Sequence, residues 1–237
     1  LQADETPVLV NKDDRPAGTK SFMWVYRTGR MYTDHQIVLY EYQKTRNASH
    51  PREFLKDFNG ICVTDGYQVY HTIETERGDL KIAGCWSHAR RRFDEAVKAL
   101  LALTMIQAIY REEKRLKDLP AEERKLRRQL SVRPLVEAYF TWARENILKV
   151  PQKSKTWEGF NYSINQEKYL KVFLDDGEVP MDNNAAEQSI RGFCIGKKNW
   201  VMIDTIAGAK SSAIIYSIAE TAKANNLKPY DYFEYLL

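Results

Sequence analysis

Residues 60–67, GICVTDGY, form a short apolar run closed by Asp65 and Gly66. A run too short for a helix, bounded by glycine and a turn dipeptide, reads as a buried strand that delivers Asp65 to its C-terminal edge. Residues 67–73 then read as a turn of helix, and residues 80–85, LKIAGC, as a second buried strand. Strand, helix, strand is a parallel unit, and in open α/β sheets ligands bind at that C-terminal edge. Upstream, residues 1–10 (LQADETPVLV), 20–28 (KSFMWVYRT) and 36–43 (QIVLYEYQ) are rich in Val, Ile, Tyr and Trp and are separated by polar turns. They predict three antiparallel strands. Pro7 has no N–H for a ladder, so the first strand is expected to end or bulge near it. Residues 49–58, SHPREFLKDF, predict a short helix capped by Ser49, with Phe54, Leu55 and Phe58 on one face.

Downstream the pattern changes period. Residues 86–116 place Phe93, Val97, Leu100, Leu101, Ile106, Ile109 and Tyr110 at helical spacing, predicting one long helix. PAEERKLRRQL (120–130) continues in helical composition, VRPLVEAYFTWARENIL (132–148) predicts an amphipathic helix starting near Pro134, and NQEKYLKVFLDDG (165–177) predicts another, stopped by Gly177 and Pro180. Residues 95–180 thus read as an all-helical insertion between a strand-rich part, 1–94, and a closing part, 181–237. A last helix over 209–224 is expected to turn Ile214, Ile215, Ile218, Ala219 and Ala222 inward.

Bulk properties narrow the class. With 237 residues, 43% of them hydrophobic, the chain is long enough for an ordinary globular core. A net charge of +4 suits a nucleic-acid partner only if the cations cluster. Cys62, Cys85 and Cys194 fit neither a disulfide framework nor a complete zinc set, and the Cys85/His88 half-site has no second pair. No apolar run approaches the roughly 20 residues of a membrane span, so a cytoplasmic protein without membrane association is expected. The chain opens on Leu and reads as part of something longer.

Residues 181–200, MDNNAAEQSIRGFCIGKKNW, hold the densest set of reactive side chains: an acid-amide cluster opening a helix, then a basic segment ending in Trp200. Glu187 can do chemistry there only if other carboxylates fold back to meet it, and Asp4 and Asp65 are the candidates. Converging carboxylates repel unless a cation or a shared proton offsets the charge. Two hard divalent ions would supply that offset and activate water or a 3′-hydroxyl. Structural alternatives stand beside this reading. Asp65-Gly66 is a common turn dipeptide, Asn184 and Glu187 fit a capping box, and Glu187 and Arg191 have the spacing of a helical ion pair. Asp182 and Glu220 are rival third acids.

The elements ADET (3–6), TDGY (64–67), CWSHARRRF (85–93), DNNAAEQSIR (182–191) and IGKKNW (195–200), with the closing SAIIYSIAETAKANNLKPYDYFEYLL (212–237), together resemble the DDE transposases of bacterial insertion sequences of the IS-sixty-six type. The resemblance covers nearly the whole chain. It implies an RNase H-like α/β fold with a mixed five-stranded sheet, flanking helices and a helical insertion before the last catalytic acid. It also implies that Asp4, Asp65 and Glu187 are a catalytic triad holding two Mg²⁺ or Mn²⁺ ions, which hydrolyses a phosphodiester at a transposon end and joins the freed 3′-hydroxyl to target DNA. The implied partners are double-stranded DNA, both transposon ends and target, bound by a dimer in the nucleoid. Lys197 stands where the family often has Arg, which loses a planar fork for phosphate, and the family's usual DNA-recognising, zinc-binding N-terminal part is not in this sequence.

Two other readings share the residues: an RNase H-like nuclease or resolvase without strand transfer, and a non-catalytic DNA-binding remnant of a mobile element. A two-carboxylate glycosidase would leave the basic clusters unexplained. For DNA contact the candidates are His88, Arg90 and Arg91 at a helix start, and Arg191, Lys197, Lys198, Asn199 and Trp200, which combine cations with an aromatic platform. Trp200 reads equally well as core. The run 124–128 is open to DNA contact or to a solvated helix face, with the latter favoured.

Overall fold

The three extended segments form β1 (Gln2–Lys12), β2 (Lys20–Arg27) and β3 (Val38–Gln43) in a computed structural model of the chain, which describes all residues except 33, 34, 95, 97 and 98. After α1 (Ser49–Phe54) come β4 (Gly60–Val63), α2 (Gln68–Glu76) and β5 (Leu80–Ala83). Helices α3 (Trp86–Asp94), α4 (Leu100–Arg115), α5 (Ala121–Arg127), α6 (Arg133–Ile147), α7 (Lys155–Asn165) and α8 (Glu167–Leu170) follow. The chain closes with α9 (Asn184–Trp200), β6 (Ile203–Thr205), α10 (Ile206–Ala224) and α11 (Pro229–Leu236). Two compact units result, one of 1–81 with 184–237 and one of 82–183.

The fold is α/β, with a mixed six-stranded sheet in the order β3-β2-β1-β4-β5 and β6 added beside β1. β1 runs antiparallel to β2, from Gln2↔Arg27 to Leu9↔Lys20, and β2 antiparallel to β3. β4 joins β1 in parallel at Gln2↔Val63. β6 joins it in parallel at Val10↔Ile203 and Lys12↔Thr205. A strand of three residues is too short to carry a period, and β6 is not legible in the sequence. Against the expected break, β1 continues through Pro7 without a bulge. The two parallel pairings lie on either side of Pro7, so its missing N–H costs no ladder bond there.

One face of the sheet builds the core of the first unit. Val8, Val10, Met23, Val25, Val38, Tyr40 and Tyr42 alternate along their strands and meet Ala186, Ile190 and Phe193 of α9 and Ala209 and Ala213 of α10. The inward face of α10 differs from expectation. Ile214 and Ile215 are more than half exposed, while Ala209 and Ala213 are buried together with Ala222, which faces inward as expected. The reason is that α10 lies close along β3 and bonds its backbone: Ser217 Oγ accepts from Tyr40 N (2.8 Å), Thr221 Oγ1 accepts from Val38 N and donates to Val38 O (both 3.0 Å), and Asn225 accepts from Gln36 N and donates to Gln36 O. Residues four apart on a helix share a face, and here that face is small and polar because it serves a strand edge. In α1 Ser49 is the first helical residue rather than the cap, its N–H donating to Asn47 Oδ1 at 2.9 Å, and the helix stops at Phe54 rather than Phe58.

The second unit is helical. The expected long helix is broken into α3 and α4, and Val97, one of the apolar positions that suggested continuity, lies outside the described residues. The buried stripe of α4 is Ala102, Ile106, Ile109 and Glu113, which leaves Leu100 and Leu101 exposed. A break shifts the phase of a helical pattern, so extrapolating from Phe93 misassigns them. Trp86 is fully buried against Tyr139, Phe140 and Phe173, and its indole N–H donates to Leu170 O at 2.8 Å. Helix α7, absent from the sequence reading, is capped by Ser154, whose Oγ accepts from Trp157 N. The segment expected as one helix over 165–177 is α8 followed by a 3₁₀ turn, Val172–Asp175.

The basic run 124–128 is not a solvated face throughout. Arg124 is buried and donates to the carbonyls of Leu116, Lys117, Leu119 and Gly177. Arg128 is fully buried at the start of a π-helical turn, Arg128–Val132, where it pairs with Glu113 and donates to Phe173 O (2.7 Å) and Asp176 O (2.6 Å). Arg127 behaves as expected, exposed and 3.8 Å from Glu123.

Candidate functional site

Asp4, Asp65 and Glu187 all belong to the first unit. β1 carries Asp4 on the face that meets α9, two residues before Thr6 and four before Val8. Asp65 follows β4 directly, where Gly66 takes φ +91° to turn the chain and Asp65 Oδ1 accepts from Tyr67 N at 2.9 Å. The turn expected of Asp65-Gly66 is therefore present and holds the carboxylate in place. Glu187 lies in the first turn of α9, buried beside Ala186.

The register of α9 is fixed on both sides of Glu187. Arg27, at the end of β2, donates to Ala185 O (3.2 Å) and Ser189 Oγ (3.1 Å), and the Tyr40 hydroxyl donates to Ser189 O (2.6 Å). Arg191, one turn on, stands 3.7 Å from Glu187 and is largely exposed, a loose version of the expected ion pair.

Charge couples the acids. Burial, with the negative charges of Glu5, Asp65 and Glu187, pushes the Asp4 carboxyl up to about 8, against the hydrogen bond it accepts from Glu5 N at 2.8 Å. The acids on β1, after β4 and on α9 therefore lie within electrostatic reach of one another. The rival third acids are engaged elsewhere: Asp182 is hydrogen-bonded by Tyr110, and Glu220 Oε1 accepts from Lys223 Nζ at 2.7 Å. An all-carboxylate donor set whose members repel one another fits a hard divalent cation, which would take oxygen ligands and remove the repulsion.

A fourth acid and its partners escape a search for the triad alone. Glu5 has a side chain only 3% exposed and pairs with Arg46, which donates from Nε to Glu5 Oε1 at 2.6 Å. Burial and the charge of Asp65 push Glu5 up to about 7, with Arg46 pulling the other way. Arg46 lies over the Tyr67 ring at 3.9 Å, and the Tyr67 hydroxyl donates to Arg46 O. Glu5 and Tyr67 stand inside ADET and TDGY, so the motifs pointed to them; Arg46 sits in a loop with no pattern around it.

The expected DNA contacts divide between the units. On α9, Lys198 is exposed, Asn199 bonds back to Ile195 O at 3.3 Å, and Lys197 Nζ donates to Pro7 O at 2.7 Å. Trp200 packs against the core, edge to face with Phe193 at 5.4 Å, which takes up its indole as a core residue. In the second unit, α3 carries His88, Arg90 and Arg91. Arg90 is 4.0 Å from Asp94, Arg91 Nη1 is 3.4 Å from His88 Nε2, and the neighbouring Arg92 lies over Tyr162 at 5.1 Å. The Cys85 sulfur accepts from Asn183 N at 3.1 Å. No helix among the described residues is long and apolar enough to cross a membrane.

Comparison with known proteins places these residues in a family. The chain is similar to two uncharacterized proteins of Sinorhizobium fredii (strain NBRC 101917 / NGR234): y4qI, 30% identical over 99% of this chain and 46% of that protein, and y4jD, 28% identical over 81% of this chain and 40% of that protein. It therefore spans less than half the length of these relatives. No solved structure gives a significant match. The profile described as Transposase IS66 family matches residues 1–211, which takes in all three acids and the strands and helix that carry them, and the chain belongs to that family.

Proposed function

We propose that this chain is the catalytic part of a DNA transposase with an RNase H-like core, in which Asp4, Asp65 and Glu187 act together on a phosphodiester. The observation that carries the reading is the placement of Asp4 on central strand β1, Asp65 directly after its parallel neighbour β4, and Glu187 in the first turn of α9, which packs on the sheet face where β1 carries Asp4. The strand order β3-β2-β1-β4-β5, antiparallel over the first three strands and parallel at β4, supports the RNase H-like assignment.

The three carboxylates would hold two Mg²⁺ or Mn²⁺ ions, whose chemistry when bound is to lower the pKa of a nucleophilic water or hydroxyl and to neutralise the leaving oxygen. Asp65 is oriented by Tyr67 N and Glu187 by the α9 clamp of Arg27 and Tyr40, so both carboxylates are set before substrate arrives. In hydrolysis, water adds to phosphorus and the bond to the 3′-oxygen breaks, leaving a 3′-hydroxyl and a 5′-phosphate. In joining, that 3′-hydroxyl adds to a target phosphorus and the target's own 3′-oxygen leaves. Exposed Arg191 and Lys198 offer cations to the flanking phosphates.

The test is Mn²⁺-dependent cleavage of a transposon end, and joining of a pre-cleaved 3′-hydroxyl end to a plasmid, with wild type and Asp65→Ala. Loss of both activities by at least about 100-fold is expected, since a group acting in the transition state is removed. Full activity in the variant refutes the assignment. Cleavage by wild type without joined product turns the reading to a nuclease.

A further inference from the structure

Beside the acids, on the sheet face opposite Asp4, lies a cavity of about 290 Å³ lined by Glu5, Pro7, Lys20, Phe22 and Arg46. Pro7 and Phe22 pair across β1 and β2, and the alternation of strands turns Glu5 and Lys20 to the same side. The floor is thus an aromatic ring and a proline, with a cation on either side. Lys20 is exposed and has no ion-pair partner among the described residues. Arg46 is held by two opposed contacts, Glu5 along the Nε edge and Tyr67 under the plane, which leave Nη1 without a protein partner among the described residues. A guanidinium fixed in this way loses little freedom on meeting a second anion.

We propose that this cavity is a subsite for one unpaired nucleotide of a DNA strand, with its phosphate between Lys20 and Arg46 and its base or sugar on Phe22 and Pro7. The proposal rests on the reading of the acids as a phosphodiester-processing site and extends the path of the strand beyond them. Size selects a single nucleotide: the volume is at the low end of small-ligand clefts, roughly 300 Å³, and does not admit a base pair stack. Charge selects a polyanion. Continuity comes through the chain itself: Glu5 of the cavity follows Asp4 on β1, and Arg46 of the cavity lies on Tyr67, two residues after Asp65. Glu5 is then a positioning residue, which aims Arg46 at phosphate rather than touching the strand.

The test is fluorescence anisotropy with end-labelled single-stranded and blunt duplex 20-mers in EDTA, where no cleavage is needed, over a series of salt concentrations. The proteins are the full chain and its Lys20→Glu, Phe22→Ala and Lys56→Glu variants, the last making the same charge change on an exposed residue of the α1–β4 connection. Lys20→Glu is expected to weaken single-strand binding at least about 10-fold and to flatten the salt dependence by about one counterion. Phe22→Ala should weaken it about 5-fold or more without changing that slope, with a smaller effect on blunt duplex. Melting curves confirm that each variant is folded. No binding by the wild-type chain, Lys20→Glu no weaker than Lys56→Glu, or Phe22→Ala unchanged on single strands overturns the subsite. Failure of the catalytic reading is seen separately: an Asp65→Ala protein that cuts normally refutes that reading whatever Lys20→Glu does to binding.

Discussion

At the scale of single residues, the candidate site carries unfavourable charge. Asp4 and Glu5 hold protons in the folded, metal-free protein that their unfolded counterparts release near pH 4, because burial and neighbouring acids push them up to about 8 and about 7. Between those limits the folded state binds more protons than the unfolded state, so stability is greatest at the acid end and falls as pH rises through 7 and 8. Melting temperatures in EDTA from pH 5 to 9 should show that decline. Asp4→Asn, which has no proton to lose, should flatten it and raise the melting temperature at pH 8.5 by roughly 5 °C. Unchanged pH dependence in the variant would mean that Asp4 is not the group responsible. The sequence named the three acids of the candidate site. ADET, TDGY and DNNAAEQ singled out the three acids through their resemblance to a family, whereas Asp4 within β1 carries no local signal of its own. Arg27, Tyr40 and Arg46 were not legible, since one arginine at a strand end, one tyrosine among fourteen and one arginine in a loop acquire meaning only from what lies across from them in space.

At the scale of elements, the second unit depends on one buried ion pair. Arg128 and Glu113 are both nearly inaccessible, and Arg128 also satisfies two carbonyls at the π-helical turn. Removing one partner leaves a buried charge uncompensated, which costs about 3–5 kcal/mol. Arg128→Met should therefore lower the denaturant midpoint steeply, and Arg128→Met with Glu113→Leu should recover a substantial part of the loss. No recovery would show that the carbonyl bonds, not the ion pair, carry the stability. The charged composition of 120–130 predicts helix correctly and burial wrongly, because composition does not say that loop carbonyls will close over the guanidinium groups. The same limit explains α3 and α4. Apolar residues on both sides of the break kept a plausible helical spacing, so the interruption left no trace in the pattern.

At the scale of the whole molecule, the β4–α2–β5 order, the antiparallel meander and the change to helix after β5 were all legible, because each rests on an apolar run, a strand-rich composition or a helical period that burial enforces. The treatment of the sheet edge was not. Ser217 and Thr221 of α10, with Asn225 just beyond its end, occupy hydrogen-bonding groups of β3 and of Gln36 ahead of it that would otherwise offer a template to another chain. Ser217→Ala with Thr221→Val keeps the shape and orphans those groups, at about 1–3 kcal/mol each. The double variant should self-associate at concentrations where the parent chain scatters no excess light, and an unchanged scattering profile would show that the edge is protected in another way. The first unit is also discontinuous, with Asp4 and Asp65 in its opening segment and Glu187 in its closing one. A ribosome adding about 5–20 residues per second reaches Glu187 on the order of 10 s after Asp65. The two acids of the opening segment thus wait for the third while the whole of the second unit is made, and the set of three is complete only once α9 has been added.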